Sequence, residues 1–282
     1  MSLVLVTGGS GYVGTQLIAA LLRDGRRVRA TVRSLEREAD VRAAVPRGDA
    51  DDSGLEVVAA DLTADEGCSA VAAACEEVHH VASLMIQPKD PDELIVPARD
   101  GTLRVLRAAR DAGARRVVLT SSFAAVGYSP KPSRDYTEAD WTGPDTPGLH
   151  PYPRAKAIAE RAAWDFIEHE GAGTELVVVN PTSILGPTLT TRASSSLQMI
   201  KAMLDGTMSV VPRQRFGVAD VREVADLHIK ADGHARGGRQ ALPGSGRRSD
   251  DHLPETGPDP ARPAWPTRTA GTDRGSAGRG AA

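Results

Sequence analysis

The chain has 282 residues, 40% of them hydrophobic and 25% charged, which suits one large soluble domain, alone or with a smaller lobe. A formal net charge of −3 gives no electrostatic case for nucleic acid or an anionic membrane as a partner. Cys68 and Cys75 match no metal-site spacing and read as reduced thiols, so no metal and a cytoplasmic location are expected.

Leu3–Thr7 reads as a first strand, and its apolar run is too short for a signal peptide or a membrane span. It breaks into Gly8, Gly9, Gly11 and Gly14, and a helix is predicted over Thr15–Asp24. A strand, a tight glycine turn and a helix together make an anion cradle. Gly8 permits the turn, Gly11 lets backbone approach a phosphate, and Gly14 permits close helix–strand packing. Strands follow at Arg27–Val32 and Leu55–Ala59, Ala70–Cys75 falls on a helix, and Glu77–Ala82 is a fourth strand. Val96–Ala112 is helical and stops at Gly113, Arg116–Thr120 is a fifth strand, Ala155–Glu170 is helical, and Glu175–Asn180 is a sixth strand. The alternation predicts an α/β fold with a parallel sheet covered by helices.

Tyr152 and Lys156, four residues apart, share a helix face, with Pro153 suited to the first helical position. A lysine ammonium a few ångströms from a phenol favours phenolate, so Tyr152 could exchange a proton with a substrate oxygen at neutral pH. Taken alone, the pair also fits a solvated helix face. Thr120-Ser121-Ser122 ends the fifth strand, where ligands of open α/β sheets sit, and Ser122 could bond a carbonyl oxygen or simply end the strand. His79 and His80 read as strand residues rather than metal ligands. Asp135, Glu138 and Asp140 form a solvated loop, and Tyr136 and Trp141 either line a cleft or anchor that loop.

These motifs together resemble the extended short-chain dehydrogenase/reductase family, over about residues 2–232. Thr7-Gly8-Gly9-Ser10-Gly11-Tyr12-Val13-Gly14 is similar to its glycine turn, Asp61-Leu62 to its adenine-side pair, His80-Val81-Ala82-Ser83 to its fourth-strand segment, and Tyr152/Lys156 to its Tyr-x-x-x-Lys. Arg29-Ala-Thr-Val-Arg33, Val118-Leu-Thr-Ser-Ser122 and Asn180-Pro181 resemble the dihydroflavonol reductase-like branch of this NAD-dependent epimerase/dehydratase group. The resemblance implies a Rossmann-type doubly wound sheet with a small, incomplete C-terminal substrate lobe at about 182–214. It implies Ser122, Tyr152 and Lys156 as catalytic residues. The implied cofactor-binding set is Gly8, Gly11, Tyr12, Val13, Gly14, Arg33, Asp61, Leu62, Val81, Ala82, Ser83, Tyr152, Lys156 and Pro181. Arg33, at the second strand's tip, can pair with a 2′-phosphate where a carboxylate would repel it, which favours NADP(H) over NAD(H). The implied activity is hydride exchange with a small-molecule carbonyl or secondary alcohol, by a monomer or homodimer. A nucleotide-sugar epimerase or dehydratase with bound NAD stays open, as does a nucleotide-binding, catalytically impaired relic.

The last fifty residues contain two aliphatic side chains of the Ile, Leu, Val and Met types, Leu242 and Leu253, against ten glycines, six prolines and eight arginines. Such a segment cannot bury enough apolar area to offset its ordering entropy, so residues 233–282 are expected to be disordered. Back-translating residues 240–254 and reading one nucleotide later can give RRFLAAGDAVMTISL, which has the apolar pattern the tail lacks. A frameshift near residues 232–239 is therefore expected. Resequencing the locus decides it, and an intact frame with no family-like continuation nearby removes the idea.

Overall fold

Short runs rich in valine and leucine alternate with amphipathic segments, and in the computed structural model these become a parallel sheet with helices on both faces. The structure describes residues 2–65, 67–84, 86, 88–130, 134–191, 194–210, 216–233 and 241–243, all within one compact unit, Met1–Arg247. In chain order the main elements are β1 (Leu3–Thr7), α1 (Tyr12–Arg23), β2 (Arg27–Val32), α2 (Glu38–Ala44), β3 (Leu55–Ala59), α3 (Cys68–Ala72), β4 (Cys75–His80), α4 (Asp92–Asp111), β5 (Arg116–Thr120), α5 (Pro151–Glu170) and β6 (Glu175–Asn180). There follow β7 (Ser183–Leu185), α6 (Ser195–Leu204), β8 (Val218–Asp220), α7 (Val221–Gly233) and β9 (Ala241–Pro243).

The described strands form a sheet of order β3-β2-β1-β4-β5-β6-β9, parallel throughout, and a small second sheet of β7 and β8. Alternating side chains feed two cores. Leu5, Val78, Val117, Leu119, Leu176 and Val178 pack under α4 and α5 with Leu106 and Phe166. Val4, Val6, Val28, Ala30 and Val32 pack on the other face with Leu17, Ile18 and Leu21 of α1 and Ala225 of α7. Strand order reverses at β1, between β2 and β4, so a crevice opens beyond the carboxyl ends of β1 and β4. That is where the glycine turn lies.

Four sequence expectations are corrected. Helix α1 begins at Tyr12, not Thr15, because Gly11 already serves as its cap. Cys75 opens β4 instead of ending a helix: Ala74, at φ 61°, turns the chain after α3, and β4 stops at His80, leaving Val81 and Ala82 past its end. Helix α4 starts at Asp92, four residues before the apolar run, with acidic residues in its first turn. Pro97 lies within the second turn, where it removes a single helical hydrogen bond. Ala241–Pro243 is strand, pairing Leu242 with Val179, although a three-residue segment shows no period in sequence. It lies at the sheet edge, where proline is tolerated. The rest of the segment after Gly233, with the expected disorder and most of the expected frameshift region, lies outside the described residues.

Beyond β6, the lobe elements β7, α6 and β8 pack sparsely. No α6 residue is buried, and Leu204 is 84% exposed.

Candidate active site

The turn after β1 is dictated by glycine. Gly8 has φ +72°, and a Cβ there would stand 2.8 Å from Ala82 Cα. A Cβ on Gly14 would run into the Gly8 carbonyl oxygen, so α1 packs this close to the turn only without a side chain. Gly11 donates to Gly8 O at 2.9 Å and caps α1 without any side-chain bond. The first amides of α1, at Tyr12, Val13 and Gly14, thus lack intrahelical partners and carry the positive end of the helix dipole. An anion fits there.

Thr7 joins this turn to the end of β4. Its hydroxyl accepts from the Val81 and Ala82 amides, each at 3.1 Å, and lies 2.8 Å from His80 Nδ1. Having accepted twice, the hydroxyl has its proton left to donate to an unprotonated Nδ1. Burial, with Lys156 adding its charge, pushes His80 down to about 3, which keeps the ring neutral.

The opposite wall comes from β5, β6 and α5. Ser121 is buried; the following residue, Ser122, lines the cleft and accepts from the Ala124 amide at 3.1 Å. Pro151 holds the first position of α5, not Pro153, and His150 caps it by accepting from the Tyr152 amide at 3.3 Å. Pro153 still falls in the first turn, where a missing amide costs nothing. Tyr152 and Lys156 face the cleft one turn apart, and Lys156 Nζ donates to Thr120 O at 3.5 Å.

At the outer end, Arg33 leaves the tip of β2 with its side chain 71% exposed, 3.9 Å from Asp61. Bonds at 2.8 Å from the Thr63 amide and hydroxyl, with Arg33 adding its charge, hold the Asp61 carboxyl below its ordinary value. Fourteen of the fifteen distinct residues named from the sequence, Gly14 excepted, line one cleft of about 1510 Å³, and Gly14 packs beneath its floor. The residues present can therefore hold a dinucleotide diphosphate on α1, a ribose phosphate at Arg33, and a small polar substrate at Ser122 and Tyr152. No cluster of three metal-ligating side chains occurs among the described residues.

Several contacts escaped sequence reading. Thr7 and Thr31 brace the turn, and Gly8 N donates to Thr31 Oγ1 at 3.3 Å. The Tyr12 phenol donates to Gly186 O at 2.8 Å and is pushed up to about 12, first by burial and then by Asp220. It fastens the lobe to the turn. Asn180 and Glu160 lie behind Ser122; the Asn180-Pro181 pair was visible as a family-like motif, and the only signal for Glu160 was its spacing, one turn after Lys156. Tyr136 packs edge-on against Phe123, and the Arg161 guanidinium covers Trp141, so both act as loop anchors. Asp140 is not merely solvated; it pairs with Arg134 at 2.7 Å. His79 meets His228 of α7, whose Nε2 lies 2.9 Å from Thr120 Oγ1.

Residues 4–241 match the NAD dependent epimerase/dehydratase family. Cinnamoyl-CoA reductase CAD2 of Medicago truncatula is 34% identical over 253 residues, covering 86% of this chain and 76% of the relative. An anthocyanidin reductase of Vitis vinifera is 30% identical over 242 residues, covering 79% and 70%. The crystal structure of yeast methylglyoxal/isovaleraldehyde reductase Gre2 complexed with NADPH superposes with a TM-score of 0.70 at 25% identity, covering 86% of this chain and 77% of that one.

Proposed function

The chain belongs to the NAD dependent epimerase/dehydratase family, and we propose from that premise that it is an NADP(H)-dependent reductase of small-molecule carbonyls, in the extended short-chain dehydrogenase/reductase group. The observation that carries the reading is the meeting of Arg33, the glycine turn, Ser122, Tyr152 and Lys156 in one cleft. Reductases among the relatives, and NADPH in the Gre2 complex, support it.

When bound, the cofactor supplies a hydride to the carbonyl carbon. The protein does the rest. Uncapped amides of α1 hold the diphosphate, and Arg33 holds the 2′-phosphate with its exposed guanidinium. The Ser122 hydroxyl donates to the substrate oxygen and fixes the carbonyl face. Tyr152 gives its phenolic proton to that oxygen as negative charge develops there. Lys156, anchored by Thr120 O, holds a positive charge beside the phenol and binds the ribose hydroxyls. In the reverse direction Tyr152 takes the proton from a secondary alcohol.

The protein acts as a monomer or homodimer in the cytoplasm. Its buried free thiols, Cys68 and Cys75, accord with a reducing compartment, and no described helix is long and apolar enough to cross a membrane. A panel of aldehydes and ketones with NADPH and NADH, with Tyr152→Phe as control, tests the assignment. Turnover favouring NADPH and lost in the variant is expected. Binding of NADPH without turnover of any carbonyl would overturn it.

A further inference from the structure

Two acidic side chains are buried among the described residues, Glu77 and Glu160. Arg26 and Arg115 neutralise the first. Glu160, 2% exposed, has no arginine of this kind, and burial pushes its carboxyl above the ordinary range. A desolvated carboxyl without a guanidinium partner is costly, so its remaining contacts carry weight.

The Ser121 hydroxyl, the Trp164 indole and Asn180 all act on this carboxyl, and the Asn180 contact leads on to Ser122. The two hydrogens of Asn180 Nδ2 go to Glu160 Oε2 at 2.7 Å and to Ser122 O at 3.1 Å. Asn180 Oδ1 is buried and has no hydrogen-bond partner. The amide is therefore oriented from its nitrogen side alone, by these two acceptors. Without the Glu160 acceptor, a flipped amide would set Oδ1 against the Ser122 carbonyl. Main-chain bonds, Ser121 N to Val179 O and Phe123 N to Pro181 O at 2.9 Å and Ala125 N to Ser122 O at 2.8 Å, hold the segment along the chain, and Asn180 takes the second acceptor position of the Ser122 carbonyl from the β6 side. The other side of the Glu160 carboxyl borders a cavity of about 30 Å³, shared with Lys156 and the buried Ser121 hydroxyl, which has room for a water.

We propose that Glu160 is a positioning residue for Ser122: by fixing the Asn180 amide it holds the main chain that aims the Ser122 hydroxyl at the substrate oxygen. This rests on the reductase reading, in which Ser122 binds that oxygen. Glu160→Gln keeps a carbonyl acceptor for Asn180, whereas Glu160→Met fills the volume without one. Carbonyl reduction with NADPH is expected within about threefold of wild type for the first and at least about thirtyfold slower in kcat for the second, with the KM for NADPH little changed. In a Ser122→Ala background, Glu160→Met should alter kcat by less than about threefold, because both changes remove the same interaction. Hydrogen exchange at the Phe123 and Ala124 amides should quicken in Glu160→Met whether or not a carbonyl is turned over, so the anchor is tested independently of the reductase reading. Near-wild-type kcat in Glu160→Met, full additivity with Ser122→Ala, or unchanged exchange would overturn the proposal. A wild type that turns over no carbonyl would remove the reductase reading, and exchange alone would then decide the anchor.

Discussion

Thr7→Val replaces a hydroxyl with a methyl of nearly the same shape, and the structure gives the hydroxyl three partners. Two are the amides of Val81 and Ala82 at 3.1 Å, and one is the buried Nδ1 of His80 at 2.8 Å. A buried polar group left without its partner costs about 1–3 kcal/mol. The His80 nitrogen bears that cost in full, whereas amides beside the cleft regain part of theirs from water. The expected loss is about 2–4 kcal/mol in urea unfolding, with the m-value unchanged. Because Val81–Ser83 line the cleft next to the glycine turn, NADPH affinity should also fall, by roughly tenfold. Thr7→Ser keeps the hydroxyl and should recover most of both. A Thr7→Val stability loss below about 0.5 kcal/mol, or a Ser variant as weak as the Val variant, would refute this role for the hydroxyl.

Acid should destabilise the fold through its buried histidines. Burial depresses His79 to about 4, His80 to about 3, and His228 well below its ordinary value, so the unfolded chain binds protons the folded one refuses. Stability is then complete above the unfolded histidine value of about 6.5 and falls below it, by about 2 kcal/mol per histidine between roughly pH 7 and pH 5. Glu160 acts with the opposite sign, because burial raises its carboxyl. Urea midpoints across that range should fall accordingly, and a flat profile would contradict the buried neutral rings. Gly14→Ala forces a Cβ onto the Gly8 carbonyl and should abolish NADPH binding measured by fluorescence; unchanged affinity would mean the turn does not cradle the diphosphate. Arg33→Ala should weaken NADPH binding by about 10–100-fold and leave NADH nearly unaffected, whereas equal loss for both would remove the 2′-phosphate assignment.

The sheet was legible because buried parallel strands are continuous apolar runs. Leu3–Thr7, Arg27–Val32, Leu55–Ala59, Arg116–Thr120 and Glu175–Asn180 were read at the bounds the structure gives them. Errors gathered where local signals were weak or where tertiary contacts decide. Pro97 masked the first turn of α4, Cys75 looked helical beside its alanines, and α2 lacks a long enough period to be seen. Glycines and the Tyr152/Lys156 pair are visible because backbone geometry and helix spacing fix their types. The contacts of Thr7, Asn180 and Glu160 were not, because their partners lie 73, 58 and 20 positions away in sequence and a polar residue alone announces no partner. The tail was misread at Ala241–Pro243 for a similar reason: β6 recruits an edge strand too short to show a pattern.

The central claim is direct hydride delivery to a carbonyl carbon in this cleft. NADPH carrying deuterium on the transferred face of nicotinamide C4, incubated with the protein and an aldehyde or ketone that it reduces, tests that claim by mass spectrometry of the alcohol. The account predicts deuterium on the carbinol carbon of the product, with the reaction lost in Tyr152→Phe. An alcohol formed without label, or a Tyr152→Phe variant that reduces as fast as wild type, would contradict it.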